Sequence, residues 1–220
     1  MDDDAVRQRL SQLDTPAISD ALDRLGVEGQ VVGILPLDRS FELVGRAFTV
    51  RMLPTGLSGK SVGDYIDDVP PGHAGVIDNQ GRLDGTVWGD ILTSVADRDG
   101  VAGTVIDGVC RDVGRALELN YPIYSRSNTM RTGKDRVSAE AYNEPVQLAG
   151  IRVEAGDWLR GDADGVVVIP EQVLADVIEA AGEIALVEDR IREQVSGGGK
   201  LDEIRERLAY HALQARRTET

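Results

Sequence analysis

The chain has 220 residues, 41% of them hydrophobic, with two Phe, two Trp and five Tyr, enough for one domain of ordinary size whose core rests on Val, Ile, Leu and Ala. Lys plus Arg number 24 and Asp plus Glu 38, a formal net charge of −14, which disfavours nucleic acid and anionic membranes as partners and obliges any anionic substrate to find a local positive site or a metal. The single cysteine, Cys110, excludes an internal disulfide. Together with an acidic N-terminus lacking a signal-peptide core, and with no apolar run long enough to span a membrane, it places the expected location in the cytoplasm.

In chain order, Asp3–Leu13 has helical spacing through Val6, Leu10 and Leu13. Thr15-Pro16 is a helix start, with Thr as N-cap and Pro at the first helical position, and the helix runs to Leu25 before Gly26. Val31–Leu35 and Leu43–Leu53 are predicted strands. The loop Pro54–Lys60 ends in Gly-Lys but lacks the glycine spacing and overall pattern of a phosphate loop. A short helix over Ser61–Asp68 is followed by a strand over His73–Asp78.

The stretch Trp88–Arg115 reads as helix, turn, strand, turn, helix: an amphipathic Ile91–Asp97, an apolar Val101–Ile106, then a helix to about Leu119. Asp90 falls at the start of the first helix, Arg111 and Asp112 at the start of the second, so the two helix starts can lie side by side. Helix N-termini offer free N–H groups and a partial positive charge; carboxylates suit a hard divalent cation and an arginine fork suits a substrate carboxylate. Such residues also serve as plain caps and surface ion pairs, and spacing by itself leaves both roles open.

Pro122–Tyr124 is a further short strand, and Ser125–Asn143 a long polar loop carrying Arg126, Arg131, Lys134 and Arg136. Val146–Ile169 is a run of short strands broken by glycines at 150, 156, 161 and 165. Pro170 opens a long helix to about Val195. Gly197-Gly198-Gly199 is a hinge before a last amphipathic helix, Leu201–Leu213. The expected organisation is one domain over 1–195 and a hinged helix over 196–220 that packs on a neighbouring subunit or frays. His73 and His211 are far apart and no Cys-x-x-Cys or His-Glu-x-x-His occurs, which argues against zinc; no Gly-x-Ser-x-Gly and no Gly-x-Gly-x-x-Gly is present.

The runs WGD at 88–90, IDGVCRD at 106–112 and GDADGVVVIP at 161–170, with TPAISDALDRLG and DVPPGHAGVIDNQG, resemble the RraA-like family, which includes regulators of ribonuclease E activity and 4-hydroxy-4-methyl-2-oxoglutarate / 4-carboxy-4-hydroxy-2-oxoadipate aldolases. The likeness covers Thr15 to Arg192. The arrangement Asp, twenty residues, Arg-Asp marks the aldolase branch, and it is complete here in Asp90, Arg111 and Asp112. The resemblance implies an α/β fold, an αββα sandwich of the phosphohistidine (swivelling β/β/α) type, and a homotrimer or hexamer with sites between subunits. It implies that Asp112 is a direct ligand of Mg2+ (or Mn2+ or another divalent cation), and that Asp90 holds the metal through water. Arg111, with the backbone amides of Ile91 and Leu92, binds the pyruvyl part of a 2-oxo acid. Glu188, with Asp189 beside it, is the matching acid that an adjacent subunit contributes through water, although a solvated helix face explains both residues equally well.

The implied function is cleavage of a 4-hydroxy-2-oxo diacid to pyruvate and an oxo acid through a stabilised pyruvate enolate, with oxaloacetate decarboxylation as a side activity. A Schiff-base route is disfavoured because Lys60, Lys134 and Lys200 all fall in predicted loops. Cys110 reads as a packing residue, His73 as structural before general base, and Arg126 or Arg131 as binders of a distal carboxylate. The rivals are a non-catalytic RraA-like regulator of a ribonuclease or helicase and a lyase for another 2-oxo acid. A methyltransferase reading finds no methyl-donor site in the sequence.

Overall fold

In the computed structural model, residues 2–55 and 62–210 are described. Lys60 and the glycines at 56 and 59, with His211 and Leu213, lie outside the described residues. The protein is a mixed α/β fold. Its elements are α1 (Asp3–Leu10), α2 (Thr15–Leu25), β1 (Gln30–Val31), β2 (Leu35–Pro36), β3 (Leu43–Pro54), a 3-10 turn (Asp64–Asp68), β4 (His73–Asp78), α3 (Asp90–Arg98), β5 (Gly103–Cys110), α4 (Val113–Leu119) and β6 (Ile123–Asn128). There follow β7 (Val137–Tyr142), β8 (Val146–Leu148), β9 (Ile151–Val153), β10 (Trp158–Asp162), β11 (Gly165–Ile169), a 3-10 turn (Glu171–Val173), α5 (Leu174–Ser196) and α6 (Leu201–Arg207).

Among the described residues the main sheet has nine strands in the order β1-β11-β10-β3-β4-β5-β6-β2, with β7 also on β3. The β3–β4–β5–β6 block is parallel and its flanks are antiparallel. β5 is buried at every position, as expected of a central parallel strand covered on both faces. The sheet curls strongly. A β-carbon at Gly161 on β10 would stand 2.7 Å from the Tyr124 ring on β6, although three strands separate them in the sheet. The enclosed face holds Ile34, Phe41, Val76, Val105, Tyr124 and Leu159, and the β8–β9 ribbon adds Val146, Leu148 and Val153 to that core.

The helices lie outside the curl. Side chains alternate along β3, and Val44 and Phe48 both point outward. Val44 meets the cluster of α1, α2 and α5 around Trp158, Val167 and Ile169, while Phe48 meets the cluster that includes Ala96 of α3 and Ala116 of α4. Each fully buried Ile or Leu of these stripes, such as Leu22 or Ile184, stabilises the fold by about 1.5–3 kcal/mol.

Several local expectations change. The N-cap of α2 is Asp14, whose side chain accepts from Ala17 N–H at 2.9 Å. Thr15 is instead the first helical residue, with its N–H and Oγ1 each 2.7 Å from the buried Asp162 carboxylate. Asp162 therefore needs its short, acidic side chain to tie β10 to α2, and this is the structural role of the GDADG motif. The segment 31–35 splits into β1 and β2, because β1 pairs with β11 and β2 with β6. The long polar loop shrinks to 129–136, since β6 extends to Asn128 and β7 begins at Val137. The predicted helix at 61–68 is a 3-10 turn over Asp64–Asp68.

Beyond the glycines, α6 folds back on α5 of the same chain. Ile204 is buried, and Tyr210 donates a hydrogen bond to Glu188 at 2.8 Å. Among the described residues no helix is long and apolar enough to cross a membrane.

Candidate active site

The IDGVCRD run builds the floor of the site. β5 pairs in register with β6 up to Ile106, shifts, and resumes at Val109. The irregularity at Asp107-Gly108 favours glycine by close approach: a β-carbon at Gly108 would stand 3.0 Å from Asn79 Cβ and 3.2 Å from Arg82 O. Beyond it, the strand end recruits the WGD segment as an extra rung. Val87 N–H donates to Val109 O at 3.2 Å and Arg111 N–H to Trp88 O at 3.0 Å. Residues more than twenty positions apart in sequence thereby become hydrogen-bonded neighbours.

Each letter of WGD has a separate job. The Trp88 indole is buried, stacks on Tyr121 with centroids 6.3 Å apart, and donates to Thr93 Oγ1 at 2.9 Å, which pins the start of α3 to the sheet. Gly89 leaves room: a β-carbon there would stand 2.9 Å from Asp112 Oδ2 and 3.4 Å from Arg111 Nε. Asp90 opens α3 and its Oδ1 accepts from Ile91 N–H at 2.9 Å. That bond occupies one of the two amides expected to receive a substrate carboxylate. Leu92 N–H, also in the first turn, precedes the Thr93 N–H bond to Gly89 O and so has no intrahelical acceptor.

Arg111 and Asp112 form an ion pair, Nε to Oδ2 at 3.2 Å, with each side chain about 40% exposed. A pair this open adds little stability; Arg111 lines the cavity beside it, whereas Asp112 does not. Asp112 holds φ 55° and ψ 37°, a left-handed conformation uncommon for a residue with a side chain. This turn sends the chain from β5 into α4 and leaves the carboxylate at Gly89. The adjoining cavity, about 540 Å³, is lined by Asp90, Ile91, Leu92 and Arg111 together with Asp64 and Lys134, a volume in the range of small-molecule sites.

Other expected residues lie elsewhere. Arg126 is held by the buried Asp107 at 2.5 Å and does not line this cavity, and neither does Arg131. The loop instead brings in Thr132, Gly133 and Lys134. Lys200 is exposed and paired with Glu203. His73 begins β4, the end opposite Asp78 from which the chain leads to α3, roughly 16 Å away at the usual rise of a strand. It does not line this cavity. Cys110 is buried beside Ser125, and burial pushes its thiol up, as fits a packing residue. Glu188 and Asp189 sit on α5, both engaged by Arg192, and do not line the cavity of their own chain.

Sequence reasoning missed Gly89 as the residue that admits the Arg111–Asp112 pair. It also missed the wall made by the turn at 62–67, whose signal was weak because short 3-10 turns carry no periodicity.

Residues 15–168 match the RraA-like family, described as Aldolase/RraA. The chain belongs to the RraA-like family. Protein DlpA of Legionella pneumophila is 37% identical over 206 residues, 92% of this chain and 34% of that protein, so the chain spans about a third of that relative's length. A Halalkalibacterium halodurans protein, provisionally named a 4-hydroxy-4-methyl-2-oxoglutarate aldolase, is 34% identical over 169 residues, 76% of this chain and 77% of that one. Among solved structures, an uncharacterised protein of Pseudomonas syringae pv. tomato is 40% identical with a TM-score of 0.86, covering 92% of this chain and 97% of that one. Streptomyces coelicolor RraAS2, described as an unusual member of the RNase ES inhibitor RraA family, is 26% identical with a TM-score of 0.80, covering 87% and 97%. In this RraA-like chain the family match spans both halves of the site, Asp90 and Arg111–Asp112.

Proposed function

We propose that the chain is a carbon–carbon lyase of the aldolase type, which cleaves a 4-hydroxy-2-oxo acid to pyruvate and a second carbonyl compound. The observation that carries this reading is the convergence of Arg111, Asp112 and the start of α3 on Gly89, where a β-carbon would stand 2.9 Å from Asp112 Oδ2. An arginine fork and a helix start present positive groups to an α-keto carboxylate, fixed in place before reaction.

In the reaction, Arg111 and Leu92 N–H hold the C1 carboxylate and face the C2 oxygen. A proton leaves the C4 hydroxyl for Asp90, the exposed carboxylate at the cavity mouth, directly or through one water. The C3–C4 bond breaks, C4 becomes a carbonyl, and the electron pair moves to C3 and the C2 oxygen as an enolate. Protonation at C3 gives pyruvate. Loss of carbon dioxide from oxaloacetate gives the same enolate, so decarboxylation is part of the proposal.

The donor set suits a hard divalent cation. Asp90 lines the cavity and Asp112 lies against Gly89, the residue before it, and among the described residues no group of three His, Cys, Asp or Glu side chains is placed to enclose a metal. One or two carboxylates with waters and substrate filling the rest is the Mg2+ or Mn2+ mode rather than that of a closed zinc site. When bound, such a cation supplies Lewis-acid charge where the enolate oxygen develops.

Assembly belongs to the same proposal. Ile91, 74% exposed at the cavity mouth, is an apolar side chain suited to burial in a homotrimer or hexamer, in which Glu188 of an adjacent copy completes the acid set. The αββα description is also proposed; it is supported by helices outside both flanks of the curled sheet and by the Tyr124–Gly161 approach between those flanks.

The test is pyruvate release from 4-hydroxy-4-methyl-2-oxoglutarate and from oxaloacetate by the purified chain, with Mg2+ and with excess chelator. Chelator-sensitive release supports the lyase. Release from neither compound favours a non-catalytic regulator, in line with the inhibitor family to which the Streptomyces relative is assigned.

A further inference from the structure

The cavity has a half that bond cleavage does not use. Away from Arg111 its wall is made by Val62 and Ile66 before and within the 3-10 turn, by Val87, and by Leu92 and Val95 on α3. Ile66 and Val87 are buried. Leu92 packs against Gly63, where a β-carbon would stand 2.8 Å from its Cδ2, and both residues line the cavity. The wall is therefore a packed aliphatic surface, continuous with the core cluster that contains Ile66, Val87 and Trp88.

The charged lining opposes a second carboxylate. Asp64, Asp67 and Asp90 line the cavity against Arg111 and Lys134. Arg111 is committed to the pyruvyl end, which leaves, among the described lining residues, the exposed Lys134 beside Asp64, Asp90 and an Asp67 that lies 4.0 Å from Arg98. Of the other cations of that loop, Arg126 is paired with Asp107, Arg136 donates to the Thr132 and Lys134 carbonyls, and neither they nor Arg131 line the cavity. A substrate with one carboxylate uses this electrostatic arrangement; a substrate with two must bring its second charge among like charges.

Building on the lyase reading above, we infer that the portion of the substrate beyond C4 is an uncharged aliphatic chain seated against Val62, Ile66, Val87, Leu92 and Val95. The substrate class is then a monocarboxylic 4-hydroxy-2-oxo acid, and the second product is an aliphatic aldehyde or ketone rather than an oxo acid.

The experiment compares kcat/KM of the full chain, with Mg2+, for straight-chain 4-hydroxy-2-oxo acids of five, six and seven carbons and for 4-hydroxy-4-methyl-2-oxoglutarate. Oxaloacetate decarboxylation is measured in parallel. The expected result is a rise of about fourfold per added methylene, corresponding to the ~0.8 kcal/mol of one buried CH2, with the seven-carbon acid ahead of the diacid. Val95→Lys places an ammonium in the aliphatic half and is expected to reverse that order; if this variant does not fold, the wild-type series decides alone. A flat series, or a preference for the diacid, overturns the inference. If no hydroxy acid is cleaved while oxaloacetate still loses carbon dioxide, the enolate site stands and this inference falls. If neither reaction occurs, the lyase reading falls with it.

Discussion

Gly89 and Asp112 are packed so closely that a β-carbon on residue 89 would stand 2.9 Å from Asp112 Oδ2. Residue 89 has φ −150°, an extended conformation open to any amino acid, so glycine is needed for space and not for backbone freedom. Gly89→Ala is therefore expected to fold and to displace the Asp112 and Arg111 side chains. A misplacement of this size costs on the order of 10²-fold in kcat/KM, with Tm nearly unchanged. Steady-state pyruvate release alongside thermal unfolding checks it; full activity in the variant would separate Gly89 from the chemistry.

Arg111→Ala should lower cleavage and oxaloacetate decarboxylation together, by about 10²–10³-fold, the usual loss for one group that stabilises an oxyanion. Both reactions pass through the same enolate, so a loss confined to one of them would show that Arg111 reads the substrate and not the enolate. Stability should change little, because the Arg111–Asp112 pair is about 40% exposed.

Asp112→Asn isolates charge from backbone geometry. Residue 112 has φ 55°, and asparagine tolerates that left-handed conformation better than alanine does. The Asn variant is expected to keep its Tm and lose stimulation by Mg2+, whereas Asp112→Ala should also lose about 1 kcal/mol or more of stability through backbone strain. Mg2+ titration of turnover and paired unfolding curves distinguish the two effects.

Asp162→Ala removes the acceptor of Thr15 N–H, Thr15 Oγ1 and Asp164 N–H in a buried setting. Buried donors left without a partner cost about 1–3 kcal/mol each, so a loss on the order of 3 kcal/mol is expected by urea unfolding, with KM unchanged in whatever fraction remains folded.

Asp3 ties α1 to β3 through Arg46, Nε to Oδ2 at 2.9 Å. The hydrogen bond from Arg46 is the largest influence on Asp3 and holds its carboxyl below the ordinary 3.8. A depressed folded value means that the folded state binds this proton less readily than the unfolded chain. The contribution to stability is then complete above pH 3.8 and lost as pH falls through the lower folded value. Tm curves of wild type and Asp3→Asn should differ at neutral pH and converge toward the acid end; a constant offset would contradict the linkage.

The parts of the molecule that are legible in the sequence are those with strong local signals. β4 over His73–Asp78 and α3 around its amphipathic stripe follow from pattern almost to the residue. Asp90, Arg111 and Asp112 stand out by residue type and spacing, and the rung formed by Val87 and Trp88 on β5 shows why twenty intervening residues do not separate them. What escapes a sequence reading depends on long-range pairing. β7 lies in a polar stretch without visible alternation and exists because β3 offers it an edge. Arg126 looks like a free cation in the sequence because nothing local announces Asp107 as its partner. The curl of the sheet, which rests on Tyr124 meeting Gly161, joins residues far apart in sequence and leaves no periodic trace.

The central claim is that Arg111, Asp112 and the start of α3 together stabilise a pyruvate enolate. Exchange of the pyruvate methyl protons in D2O, followed by proton NMR with the purified chain and Mg2+, tests that step without reference to the rest of any substrate. The account predicts a protein-dependent loss of the methyl signal that disappears with chelator and in Arg111→Ala. A methyl signal that stays constant with the wild-type chain, at pyruvate and Mg2+ concentrations that saturate binding, would contradict it.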